Sequence, residues 1–230
     1  MTDGGASAVF ATAPHPVPPE RARRFDALLA DLAARPDHDH QGPVDLTDAV
    51  PGPVWELLVH AAATGRYALH GSGSDAITAF EPRQSNDVHE FGNRSGVYAA
   101  ADGLWPFYFA IVDRDRIDQL VNAAFVVVDR ETGAETGPLY FFSVASRDPA
   151  PWRDGTVYLL PIDGFEREAE VERPEGRVRS AQLFHPGPVR PLARVRVRPD
   201  EFPLLSVIRH HDADELGRRA AADPDGFPWL

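Results

Sequence analysis

The feature that most limits what this chain can fold into is a change of period near residue 66. Before it, apolar residues recur at helical spacing. After it, they come in short runs punctuated by Gly, Pro and Asp clusters. Residues 20–34 set Phe25, Leu28, Leu29 and Leu32 on one stripe, which predicts an amphipathic helix ended by Pro36. Pro53 opens a second helix through Trp55, Leu57, Leu58 and Val59 to Gly65. Strands are then expected over residues 66–70, 96–100, 122–129, 139–145, 155–161, 178–185 and 192–198. A short helix is expected over residues 75–80. Residues 105–112 are apolar nearly all round, so a buried helix and a buried strand both fit. Helices first and strands afterwards give an α+β fold rather than an alternately wound one.

Residues 1–19 are Pro-rich and without period, and are expected to form a disordered lead. Residues 20–230 are expected to form one α+β domain. Its parts are a helical section (20–65), a core (66–198) and a tail (199–230) holding a last helix capped at Asp212. The start has no positive region before its short apolar piece, and no run approaches a membrane span, so a cytoplasmic protein without membrane contact is expected.

Composition removes whole classes of chemistry. The 230 residues include no Cys and no Lys; all 23 basic residues are Arg, against 35 acidic ones. A cysteine nucleophile, a Cys-ligated metal, a lysine Schiff base and a Walker A phosphate loop are excluded. The net charge of −12 repels nucleic-acid backbones, so a nucleic-acid partner is not expected. The run Asp37-His38-Asp39-His40 has metal-ligating residue types, but alternating residues in a short loop rarely close a coordination sphere, and no metal is expected. Gly71-Ser72-Gly73 lacks the third glycine and long helix of a dinucleotide fingerprint.

One constellation survives. His70-Gly71-Ser72 ends a predicted strand, and Gly96-Val97-Tyr98 opens the next. The aromatics Trp105, Phe107, Tyr108 and Phe109 follow, and a late segment runs from Ser180 through Gln182 to Pro191. A strand-end His beside small residues leaves backbone groups free for a ligand amide, and nearby rings can sandwich a flat heterocycle.

In these segments the chain resembles the ADP-ribosyltransferase fold family, closest to its poly(ADP-ribose) polymerase branch. The resemblance rests on His70-Gly71-Ser72, on Phe91-Gly92 through Gly96-Val97-Tyr98 with Asp102 behind it, and on the 180–191 segment, and it spans residues 66–198. It implies a split antiparallel β-sheet with N-terminal helices packed against it, and NAD as the substrate bound in the cleft. His70 would bond a ribose hydroxyl, and the Gly71 backbone, next to Ser72, would pair with the carboxamide. Tyr98 with Tyr108 or Phe109 would stack the nicotinamide, while Arg83 and Arg94 would face the pyrophosphate. The reaction implied is loss of nicotinamide and transfer of ADP-ribose to an unknown acceptor, with His70, Tyr98, Ser180 and Gln182 in the catalytic positions.

The family's usual Glu, which steadies the developing sugar cation, is replaced by Ser180, with Gln182 two residues on. Glu90 or Asp102 is a carboxylate that a loop could bring in its place. A non-catalytic module binding NAD, ADP-ribose or a protein is therefore the second expectation. An RNA 2′-phosphotransferase-like enzyme is the third, and the net charge counts against it.

Overall fold

The computed structural model describes residues 9–35, 42–84, 92, 94–174, 176–224 and 226–230. The two N-terminal helices form where the apolar stripe of the first and Pro53 of the second predict them. Helix α1 (Pro19–Ala33) starts on a proline whose fixed φ suits the first turn, and it buries Phe25, Leu29 and Leu32. Helix α2 (Val54–Ala63) buries Val54, Trp55, Leu57, Leu58 and Ala61, together with Glu56. That buried carboxylate is held by Arg21 of α1 through two hydrogen bonds of 2.5 and 2.8 Å. A two-pronged guanidinium is what a desolvated carboxylate requires, so the pair fixes how the helices meet.

The strands are β1 (Val44–Asp45), β2 (Tyr67–Ser72), β3 (Arg83–Gln84), β4 (Ser95–Ala100), β5 (Gln119–Val128), β6 (Leu139–Ala145) and β7 (Gly155–Pro161). They continue with β8 (Glu166–Arg167), β9 (Val171–Arg173), β10 (Gly176–Ser180), β11 (Gln182–His185), β12 (Ala193–Val197) and β13 (Arg209–His210). Helix α3 (Leu104–Ile111) follows β4, and α4 (Ala213–Ala222) lies near the end. The fold is α+β with two sheets. One runs β1-β12-β7-β2-β4-β11-β8, with β3 also on β4; the other runs β13-β6-β5-β10-β9. Pairing is antiparallel except at β1 with β12 and β13 with β6, so the sheets are mixed rather than purely antiparallel.

The run at residues 104–111, which periodicity left open, is a helix, and it lies flat on the larger sheet. A Cβ on Gly71 would come within 1.8 Å of the Pro106 carbonyl oxygen, and one on Gly155 within 2.1 Å of the Ala110 oxygen. Two glycines thus allow backbone-to-backbone approach between sheet and helix. Tyr67, Leu69, Val157, Leu159 and Val195 line the core beneath α2 and α3. Ala68, Val97, Tyr158, Leu160 and Leu183 line a smaller core under the chain around Phe80 and Val189.

Three expectations are corrected. Residues 75–80 form no helix; the Tyr158 hydroxyl donates to Ser74 O (2.9 Å) and accepts from Ile77 N (3.1 Å), so a side chain replaces the helical ladder. The strand expected over 178–185 breaks at Ala181, and its halves enter different sheets. Of the expected lead, residues 1–8 lie outside the described residues and residues 9–18 are not free. Ala11 exchanges two 2.8 Å hydrogen bonds with Tyr140, and Phe10 packs edge-on to Phe125 at 5.1 Å. At the other terminus Phe227 docks on Phe10 and Phe141. Among the described residues no helix is long and apolar enough to cross a membrane.

Candidate functional site

Strand β2 is zipped to β7 at six positions, from Tyr67–Pro161 to Ser72–Thr156. On its other edge it meets β4 at one, Leu69–Ala100. Further along the same strand, β3 pairs with β4 at Gly96 and Ser95. Residues 97–99 of β4 therefore lie between the stretch paired with β2 and the stretch paired with β3, while β11 holds the strand through Val97–His185, Tyr98–Phe184 and Ala99–Leu183.

His70 reaches across this gap. Its Nδ1 lies 2.6 Å from the Tyr98 carbonyl oxygen, which can only accept, so Nδ1 carries the proton and Nε2 is left as an acceptor. Burial pushes the His70 pKa below its ordinary value, and the Arg114 and Arg83 charges push it the same way; the Tyr98 hydrogen bond opposes them. The imidazole is neutral at pH 7 and rests against the Phe80 ring at 4.4 Å. By strand alternation it shares a face with Ala68 and Tyr158, while Leu69 and Gly71 share the face covered by α3. Tyr98 and Gln182 lie on that second face, being two residues from Ala100 and directly opposite it. The imidazole and the Tyr98 ring thus flank the gap from opposite faces.

The other expected residues divide. Gly71 is in register with Val157, and its opposite edge faces the widening gap. Ser72 Oγ accepts from Ser74 N at 3.1 Å, a local turn bond. Arg83 is exposed on β3, and its charge bears on His70. Arg94 is engaged elsewhere: it bonds Glu166 at 2.9 Å, and its guanidinium lies 3.7 Å over the Phe184 ring. The Tyr98 hydroxyl is bonded to both backbone groups of Arg94, at 2.8 and 3.0 Å, and its ring meets Phe184 edge-on at 5.4 Å.

Tyr108 is not a stacking residue. It is fully buried against Phe142 at 4.4 Å, where burial raises its pKa far above the ordinary range. Phe109 is half-buried, with Trp105 beside it and the Arg114 guanidinium 5.5 Å from its ring centre.

Ser180 and Gln182 do not share one strand face. Ser180 ends β10 opposite Phe125, and its hydroxyl accepts from Gln182 N at 3.1 Å as the chain turns into the other sheet. Gln182 lands opposite Ala100, in the sheet that carries His70. Asp102 cannot serve as the missing carboxylate. It is buried; Oδ1 accepts from Leu104 N and Trp105 N at the start of α3, and Oδ2 accepts from the Tyr140 hydroxyl at 2.6 Å. Glu90 and the Asp37–His40 run lie outside the described residues, and among those described no group of three or more His, Asp or Glu is placed to hold a metal.

Arg114, just past α3, and Arg153, just before β7, were not among the expected site residues. Two hollows border β6 and β13, one lined by Val9, Phe10, Tyr140 and Val207 and the other by His210, Glu215, Arg219 and Trp229; no expected site residue lines either. No family model matches the chain, and neither the curated proteins nor the solved structures give a match.

Proposed function

We propose that the gap between β2 and β4 binds NAD and that the protein is an ADP-ribosyltransferase-type protein of the mono-transferring kind, its acceptor unidentified. The observation that carries this reading is the opening of the sheet directly after Leu69–Ala100, with the His70 imidazole on the Tyr98 carbonyl. It joins two segments of the sequence resemblance at one place, and Gln182, opposite Ala100, adds the third. Nε2 of His70 is an acceptor for a ribose hydroxyl. The half-buried Phe109 offers an aromatic surface to a pyridine amide, and the Tyr98 ring, packed edge-on against Phe184, borders the gap.

A second reading, a module that binds without turning over, is favoured by a specific observation. Ser180 and Gln182 are uncharged and Asp102 is locked under α3. Loss of comparable electrostatic help costs on the order of 10²–10³ in rate.

Nicotinamide release and NAD-dependent thermal stabilisation test both readings. Stabilisation by NAD that disappears in His70→Ala and Tyr98→Ala supports the site; no stabilisation of the wild type removes it. Gln182→Glu separates the readings. A rise of about tenfold or more in nicotinamide release is expected if the cleft lacks only its carboxylate.

A further inference from the structure

We propose that the open end of β2 carries a phosphate-binding site built by Arg153 and Arg114, with Arg83 at its border. It adjoins the gap and stands whether or not nicotinamide enters there.

Arg153 is laid against the turn that leaves β2. A Cβ on Gly73 would meet its Nη2 at 2.1 Å and its Cζ at 2.3 Å, so the absence of a side chain at residue 73 makes the seat for this guanidinium. Its Nε is buried and has no hydrogen-bond partner among the described residues. An unpartnered buried donor on a cation is costly, and an anion is the partner that relieves it. Its Nη1 lies 3.7 Å from Asp113 Oδ1, but that carboxylate is shared: Arg116 Nε approaches it at 3.3 Å, and it also accepts from Asp115 N. Arg116 has a second carboxylate, Asp148, at 3.1 Å, so Asp113 is the one carboxylate within ion-pair distance of Arg153 among the described residues, and it stands at the long end of that range.

Arg114 is exposed beside Phe109, and Arg83 is exposed on β3; neither has a carboxylate within ion-pair distance among the described residues. Arg153 N donates to Ile111 O and Asp113 N to Pro151 O, which brings Arg153 beside the chain that leads into Arg114, while Arg83 lies opposite Gly96 where β4 has parted from β2. Three cations against one shared carboxylate, in a molecule of net charge −12, form a local positive site. Guanidinium forks match phosphate oxygens in geometry as well as charge. The ligand group is therefore a phosphate or diphosphate, supplied either by a dinucleotide or by a phosphorylated acceptor.

The test is calorimetric titration of the full chain with inorganic pyrophosphate, phosphoserine and NAD, at two salt concentrations. Wild-type protein is expected to bind pyrophosphate, more weakly at higher salt. Arg153→Gln and Arg114→Gln should each lose about tenfold or more in affinity. Gly73→Ala, which displaces the Arg153 guanidinium without touching its charge, should weaken binding as well. Arg177→Gln on β10 should leave it unchanged. Stronger binding of phosphoserine than of NAD assigns the site to a phosphorylated acceptor, and the reverse assigns it to a dinucleotide. Pyrophosphate binding without any NAD binding keeps this site and removes the NAD reading. No pyrophosphate binding by wild type, or equal binding by the three site variants, overturns the proposal.

Discussion

The two edges of β2 behave as different materials. Toward β7 the strand is paired along its whole length, and the side chains there belong to the cores. Toward β4 it is paired at one position, and a single imidazole spans the opening. A ladder of backbone bonds is redundant, because losing one leaves its neighbours. A one-pair contact has no such reserve, and a backbone carbonyl met by a side chain can exchange that partner for a ligand. Redundant backbone pairing is concentrated on the first edge, and the proposed binding site on the second.

Substitutions should reproduce this asymmetry. Gly71→Ala attacks the packed side, since the added carbon meets backbone of α3 at 1.8 Å and neither partner can yield cheaply. It should cost about 3 kcal/mol or more in urea denaturation. Asp102→Ala removes the cap of α3 and orphans the buried Tyr140 hydroxyl. A loss of about 2 kcal/mol is expected, read as a lower denaturation midpoint. His70→Ala, on the open edge, should cost only about 1 kcal/mol while abolishing the thermal shift with NAD. If it instead unfolds the protein as Gly71→Ala does, the two edges are not distinct.

The pH dependence sharpens the same contrast. The unfolded chain protonates His70 near its ordinary value of 6.5, whereas the folded protein holds it neutral to lower pH, chiefly through burial. The unfolded state then binds more protons in between, so stability is full above about 6.5 and declines as pH falls through that value toward the folded one. His70→Gln should flatten part of this decline in melting temperature measured across mildly acidic pH. His211, whose pKa burial also lowers, keeps the rest. The smallest effect is expected at Glu166→Gln. It breaks an exposed pair with Arg94 and should change stability by less than about 1 kcal/mol, measured by the same denaturation.

What the sequence disclosed follows the same division. Helix α1 was legible because it has one apolar stripe, and α2 because Pro53 marks its start and Gly65 follows its end. Helix α3 was not, because Leu104, Phe107, Tyr108, Ala110 and Ile111 are all buried, and burial on every side erases the period. The break at Ala181 was hidden for a different reason. Alternation says which face a side chain takes, not which neighbouring strand the backbone joins, and the Ser180–Gln182 turn bond looks the same in either case. The ordered residues before α1 were read from their prolines, whereas Phe10 is fixed by rings distant in the chain. In the candidate site, His70 and Tyr98 stood out through their motif neighbours. Arg114 and Arg153 carry no local signal; the seat of Arg153 is made by a glycine 80 positions away in the chain.

Residues 166–173 pair with residues 176–184 across both sheets, through Phe184–Glu166 in one and Val178–Val171 in the other. The chain from Ser180 to Gln182 is stitched on both sides as well, to Ala124 and to Ala101. The two sheets are thus joined by a double seam rather than by one strand. A displacement of β4 would pass through β11 to β8 and, beyond Ala181, to β10 with β5 and β9 on either side of it, so the two sheets are coupled through this one stretch of chain.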